Sequence, residues 1–153
     1  MIKTRIEGLE GLKTLVGKEL APGPWHTMTF DDILKFAKLT GDQQWVHVDR
    51  ARIANESPFG VPIAHGYLSL GMIGGLFSEA VEPVGFQMIV NYGLNKVRFP
   101  SPLKEGAEYR IQIKFNSVTP LDKGLEAVFV NTIEMRDEGK PACVAECVFR
   151  FYG

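Results

Sequence analysis

Apolar and polar residues alternate along most of the second half of the chain, with the period of two that is typical of β-strands buried on one face. The alternation occurs in four segments, over residues 86–99, 109–116, 125–135 and 143–152. All four exceed the average strand length of about five or six residues. In the first segment the parity changes near Asn95-Lys96, which predicts a β-bulge. The pattern therefore predicts long antiparallel strands joined by turns.

The first half of the chain shows helical spacing instead. A weak amphipathic pattern covers residues 5–16. A clearer helix begins after Thr29, which has Asp32 at the capping-box offset, and ends at Gly41. Residues 49–56 are predicted to form one or two further helical turns, with the first residue of that segment as their cap.

Residues 64–81 are apolar around nearly their whole circumference, so they predict a helix that is buried on all sides. This helix contains Gly71, Gly74 and Gly75, each of which costs about 1 kcal/mol relative to alanine. We expect the glycines to let a sheet pack closely against the helix. The predicted fold is α+β, with a long curved antiparallel sheet wrapped around a buried central helix, in one domain over residues 1–153.

Composition and charge exclude several classes of function. The 153 residues carry 17 Lys and Arg against 18 Asp and Glu, which leaves no basic excess for binding nucleic acid. The most apolar run is too short to cross a membrane, so no membrane partner is expected. Cys143 and Cys147 have neither disulfide nor zinc-finger spacing and are expected to be buried free thiols in a cytoplasmic protein.

Candidate chemistry begins directly after the second predicted helix. Asp42 and His47 are five residues apart and can converge on one point if the loop between them folds back. Such a pair can hold a water molecule, with one group removing its proton and the other orienting it. The alternative interpretation is that Asp42 is a turn residue and His47 a half-buried structural partner.

A second candidate segment, residues 62–67, leads into the central helix. The first N–H groups of a helix lack intrahelical acceptors and lie at the positive end of its dipole. Gly66 would let a ligand approach these groups closely, which suits the stabilisation of an oxyanion. The alternative is that Gly66 only begins the helix and that the side chain of His65 is solvated or capping.

These motifs resemble a known family. Thr40-Gly41-Asp42-x-x-x-x-His47, followed by Ile63-Ala64-His65-Gly66, is similar to the MaoC-like (R)-specific enoyl-CoA hydratases, called hydratase 2, which have a hotdog fold. Residues 91–100 and 140–146 resemble the NodN-like branch. Gln44 and Trp45 replace the Asn-Pro of the usual motif, so Trp45 is predicted to anchor the loop by packing in the core rather than to line the acyl site.

The resemblance implies reversible hydration of a trans-2-enoyl thioester to the (R)-3-hydroxyacyl thioester. It assigns catalysis to Asp42 and His47, and we expect the backbone N–H of Gly66 to be the oxyanion donor for this reaction. It also implies a homodimer, a coenzyme A or acyl carrier protein thioester as substrate, and neither a metal nor a further cofactor. Further substrate contacts are expected from Gln44, Ala64, His65 and Tyr67. Possible coenzyme A or pocket contacts are Asn91, Tyr92, Lys96 and Arg98.

Two alternative functions stay open at this point. Hotdog folds also include acyl-CoA thioesterases, which commonly carry a carboxylate on or near the central helix, and here that helix offers only Glu79. A non-catalytic subunit that binds acyl thioesters is the other alternative, although it would have no need of Asp42 and His47. His26 is expected to be structural.

Overall fold

The computed structural model describes residues 1–153, and these form five helices and seven strands. Their order along the chain is β1 (Thr4–Glu7), α1 (Gly8–Lys13), β2 (His26–Thr27), α2 (Phe30–Thr40), α3 (Trp45–Val48), α4 (Arg50–Glu56), α5 (Gly66–Ala80), β3 (Val81–Val84), β4 (Met88–Arg98), β5 (Glu108–Leu121), β6 (Gly124–Met135) and β7 (Cys143–Tyr152). The four long strands predicted from alternation are present as β4 to β7. None of the helices combines the length and hydropathy that crossing a membrane requires.

The main sheet has five strands in the order β2-β5-β6-β7-β4, and all neighbours are antiparallel. Its inner face carries the alternating apolar residues, including the buried rings of Phe115, Phe129 and Phe151. The register of β4 on β7 shifts between Leu94 and Val97, which confirms the predicted bulge, and it shifts once more between Asn91 and Gly93. Helix α5 lies against the inner face, and the arrangement is the predicted hotdog fold.

Helix α5 is not buried all round, and this corrects the sequence-based prediction. Its sheet-facing side contributes Ile73, Leu76, Phe77 and Ala80 to the core, and the Phe77 ring packs edge-on against Phe129 at 5.0 Å. The opposite side is exposed. It includes the three glycines at positions 71, 74 and 75, where an added Cβ would meet no atom within 4 Å. The glycines therefore do not allow close packing by the sheet, because no atom of the sheet comes within 4 Å of an added Cβ at any of them.

The amino-terminal segment also differs from its prediction. Residues 4–7 form β1, which pairs in parallel with β3 directly after α5, and only residues 8–13 are helical. A helix through this region is interrupted because Gly8 adopts a φ of +59°, in the left-handed region. Ile6, one of the apolar residues in the amphipathic pattern of residues 5–16, lies in the strand and is fully buried there.

The predicted helix termini are present. The Thr29 hydroxyl accepts a hydrogen bond from the Asp32 N–H at 3.1 Å at the start of α2, and Gly41 ends that helix with a φ of +78°. The Asp49 carboxylate likewise accepts from the Arg52 N–H at 3.0 Å and caps α4. These caps fix where the chain leaves α2 and enters α4, and the candidate site lies between those two points.

The two cysteines are free and buried on the inner face of β7, as predicted. Burial raises the pKa of Cys143 to about 11. Burial also raises the pKa of Cys147, and the neighbouring Asn131 side chain partly offsets that increase. Neither thiol is ionised at neutral pH, so neither is activated as a nucleophile.

Candidate active site

Three elements bring the candidate residues together. Asp42 follows the left-handed turn at Gly41, His47 lies on the short helix α3, and His65 directly precedes α5. One potential ligand atom from each of Asp42, His47 and His65 lies within 4.8 Å of the other two. Since one water molecule makes hydrogen bonds of about 2.8 Å, it can bridge two atoms at that separation.

The ring of His47 is oriented by a backbone carbonyl. Its Nδ1 lies 2.6 Å from the carbonyl oxygen of Ile63, which can only accept, so Nδ1 carries the proton and Nε2 has a free lone pair. The pKa of His47 is lowered, chiefly by burial and also by the charge of His65, against the opposing effects of the Ile63 carbonyl and Asp42. His47 is therefore unprotonated at neutral pH, as a general base must be.

Asp42 is held by its own loop. One carboxylate oxygen accepts a hydrogen bond of 3.3 Å from the backbone N–H of Gln44, while the Asp42 side chain itself remains exposed. The Gln44 side chain is exposed as well. Gln44 thus supports the site through its main chain, whereas a contact of its side chain with substrate remains a prediction.

The side chain of His65, the residue at the N-cap position of α5, is neither solvated nor capping, which corrects the simpler interpretation of this residue. Its side chain makes no capping hydrogen bond, and the residue is 3% exposed. The ring stacks on His47 with centroids 3.7 Å apart, and Nε2 lies 2.9 Å from the backbone oxygen of Asp42.

The same three side chains carry atoms of the kind that ligate metal ions. Zinc requires nitrogen lone pairs that converge on one point. The rings of His47 and His65 are stacked with only 22° between their planes, so their lone pairs, which lie in the ring planes, point in nearly parallel planes. The two imidazoles therefore do not aim their free lone pairs at one common point, as a metal ion would require.

A cavity of about 310 Å³ lies beside His47 at the amino-terminal end of α5. Gly66 lines it, and a Cβ added at Gly66 would lie 2.9 Å from the ring of Phe99, so glycine is required for this approach. The sequence did not identify Ser69, which is 2% exposed and lines the cavity one helical turn after Gly66. The sequence did carry a signal for this residue, namely a hydroxyl side chain three positions after Gly66 in an otherwise largely apolar helix.

The sequence and the fold both have close relatives. The model of the MaoC-like domain matches residues 12–135. The chain belongs to the MaoC-like dehydratase family. It is 38% identical over 146 residues to 3-hydroxyacyl-thioester dehydratase Z of Mycobacterium tuberculosis, covering 95% of this chain and 96% of the relative. Nodulation protein N of Rhizobium leguminosarum is 34% identical, with 92% and 88% covered, consistent with the NodN-like branch.

Among solved structures, R-hydratase PhaJ1 from Pseudomonas aeruginosa is similar to this MaoC-like protein. The TM-score is 0.71 at 25% sequence identity, and the match covers 88% of this chain and 79% of the other. The likeness supports the hotdog assignment that the sheet order and the central helix already indicated.

Other residues predicted for the site of this MaoC-like protein lie at different distances from it. Ala64 is buried and lines the cavity. Tyr67 is 73% exposed on the outer side of α5 and does not line it. Asn91 lines a second cavity, of about 400 Å³, between the middle of α5 and strands β4 and β7.

The remaining candidates for coenzyme A contacts lie on β4. Tyr92 packs beneath the guanidinium of Arg150, 3.4 Å from its ring centroid. Lys96 and Arg98 are exposed, and none of the three lines the cavity beside His47. Their contact with coenzyme A stays a prediction.

Trp45 and His26 are the remaining residues for which the sequence predicted a role. Trp45 is half-buried beneath the guanidinium of Arg52, 4.3 Å away, and is not part of the hydrophobic core, so the core-anchor prediction is wrong. His26 is structural as expected. It joins β2 to α5 through a contact of 2.7 Å with the Glu79 carboxylate.

Proposed function

We propose that this MaoC-like protein catalyses the reversible addition of water to a trans-2-enoyl thioester, giving the (R)-3-hydroxyacyl thioester. The observation that carries the proposal is the convergence of Asp42 and His47 beside the amino terminus of α5. One potential ligand atom of Asp42 lies within 4.8 Å of one of His47. The activities for which dehydratase Z and the R-hydratase are named support the same reaction class and, for the latter, the (R) configuration.

The proposed reaction uses His47 as the proton carrier. Nε2 of His47 removes one proton from the bound water while the water oxygen adds to the β-carbon. The Asp42 carboxylate accepts the other O–H of that water and so orients it. Charge then develops on the thioester oxygen, which the Gly66 N–H stabilises at the positive end of α5. Protonated His47 returns its proton to the α-carbon, so that substrate and water are fully accounted for in the product.

We propose coenzyme A as the carrier of the acyl group, with an acyl carrier protein as the alternative, and no resident metal or redox cofactor. Addition of water to a conjugated thioester needs only acid–base chemistry and an oxyanion donor. The carrier can be decided by comparing kcat/KM for the same enoyl group on coenzyme A and on a carrier protein.

The deciding experiment measures the purified protein with crotonyl-CoA. A hydratase removes the enoyl-thioester absorbance without releasing a free thiol, and this is the result that we expect. Release of thiol would instead indicate a thioesterase, and binding without either change would indicate a non-catalytic subunit. No contact favours the thioesterase alternative, because Glu79 is engaged by His26 and does not line the cavity beside His47.

We also propose that the protein is a homodimer formed through β4. Strand β4 lies at an edge of the main sheet, where it is bonded to β7 on one side only. It exposes several large apolar side chains, namely Met88, Ile89, Tyr92 and Leu94. A long apolar edge of this kind invites pairing with a second strand, and a second copy of β4 would satisfy it.

A further inference from the structure

His65 contacts every component of the candidate active site. Its ring contacts the Asp42 carbonyl and the face of His47. Its own carbonyl accepts the hydrogen bonds from Leu68 and Ser69 that begin α5, directly after the N–H of Gly66. His65 thus links the loop of Asp42 and the ring of His47 through its side chain, and the start of the helix through its main chain.

The hydrogen bonding of His65 is incomplete. A carbonyl oxygen can only accept, so the Nε2 that contacts Asp42 carries the proton. The Nδ1 of the same ring is buried and has no partner. A buried polar atom without a partner is costly, and an aromatic hydrocarbon ring of similar size would avoid that cost. The hydrogen bond from Nε2–H to the Asp42 carbonyl is the one interaction that such a hydrocarbon ring could not make. This bond therefore explains why a histidine occupies the position.

The ring contacts continue beyond His65, where the Phe36 ring is tilted by 55° against the imidazole rather than stacked on it. The Phe36 ring of α2 lies 4.8 Å from His65 on centroids, and the His47 ring lies 3.7 Å from it. Since α2 is anchored in the core through Ile33 and Ala37, the position of His65 is supported by a rigid element. Two contacts therefore determine the plane of the His47 imidazole: the hydrogen bond of its Nδ1 to the Ile63 carbonyl, and its stacking on the face of His65.

We propose that His65 is a positioning residue for the reaction proposed above, holding the Asp42 loop through its Nε2–H and the plane of the His47 imidazole through its ring. This role rests on the proposed function and replaces the expectation that His65 contacts substrate. The ring of His65 does not line the cavity beside His47, whereas Gly66 and Ser69 do.

The test separates the two contributions by substitution. His65→Phe keeps a stacking ring without the N–H, and His65→Gln keeps an N–H without the ring. We expect each to lower kcat for crotonyl-CoA by roughly tenfold to a hundredfold through misplacement of the dyad, with KM changed by less than about threefold. The control is His26→Gln, the same substitution at the histidine that pairs with Glu79, and it should keep kcat.

A second measurement does not depend on activity. The chain has only three histidines, so the imidazole nitrogens can be followed individually by nuclear magnetic resonance as the pH is changed. With His65 in place, Nδ1 of His47 carries the proton and faces the Ile63 carbonyl. In His65→Gln the ring face that holds the imidazole plane is lost, so the proton should be distributed over both ring nitrogens. In His65→Phe the stacking ring remains, so the proton should stay on Nδ1.

The outcomes separate the two proposals. Wild-type protein that leaves crotonyl-CoA unchanged would refute the proposed function, and the resonance data would then decide the positioning role alone. A merely structural His65 would lower the melting temperature while the tautomer of His47, and kcat per folded molecule, stayed at wild-type values. That result would overturn the proposal.

Discussion

At the scale of single residues, His47 and Asp42 differ in their surroundings, and this difference assigns their proposed roles. His47 is 7% exposed with a lowered pKa, whereas the Asp42 side chain is exposed. We expect Asp42→Asn and His47→Gln each to reduce hydration of crotonyl-CoA by about 100-fold or more, the contribution typical of general acid–base catalysis. Folding should be checked by circular dichroism. Near-normal turnover in either folded variant would contradict the proposed dyad.

The lowered pKa of His47 also predicts a pH profile. Activity requires the unprotonated ring, so kcat/KM should decline on the acid side with an apparent pKa below the ordinary value of 6.5. Because the folded pKa is depressed, the unfolded chain binds more protons as the pH falls, and the free energy of unfolding should decline in the same range. An acid limb centred clearly above the ordinary value would contradict this role for His47.

The proposed oxyanion role of Gly66 can be tested by adding a single methyl group to this residue. A methyl group at Gly66 would lie 2.9 Å from the Phe99 ring, which is 41% exposed and therefore able to move outward. We expect Gly66→Ala to fold but to lose most of its turnover, because the displaced ring and the new methyl group occupy the approach to the backbone N–H. Full activity in this variant, measured with crotonyl-CoA, would remove Gly66 from the proposed oxyanion site.

At the scale of elements, the exposed glycines of α5 make a stability prediction. Gly75 has helical backbone and open space around an added Cβ, so Gly75→Ala should raise the free energy of unfolding by about 1 kcal/mol. An added Cβ at Gly106 would also meet no atom, but the residue has a φ of +83°, in the left-handed region. Gly106→Ala should therefore lower the free energy of unfolding by about 1–2 kcal/mol. Urea denaturation of both variants gives the comparison. Destabilisation by Gly75→Ala would indicate that another surface packs against this face in solution.

At the scale of the whole molecule, the proposed dimer depends on one edge of the sheet. Ile89 on β4 is 39% exposed, and Leu39 on α2 is 84% exposed. We expect Ile89→Lys to shift the protein from dimer to monomer, because a charge at a strand edge opposes pairing. Leu39→Lys is the matched control and should leave the mass unchanged. Light scattering after size-exclusion chromatography measures both, and a wild-type monomer would refute the dimer.

Local features of this protein could be predicted from neighbouring residues alone. The alternation of β4 to β7, the bulge after Leu94 and the caps at Thr29 and Asp49 depend on contacts within a few residues, so the sequence contains them. The spacing of Asp42 and His47 also indicated their convergence, because a left-handed turn at Gly41 redirects the chain directly before them.

Other features depended on tertiary contacts. Which face of α5 is buried was decided by the position of the sheet, since an apolar helix containing several glycines has no distinct polar side. The parallel pairing of β1 with β3 joins residues that are distant in sequence, and no local pattern marked it. The stack of His47 on His65 likewise required α2, α3 and the start of α5 to meet. The sequence by itself therefore determined the strands, the caps and the candidate dyad, and only the tertiary structure decided the orientation of the helix and the support of His47, because those depend on non-local packing.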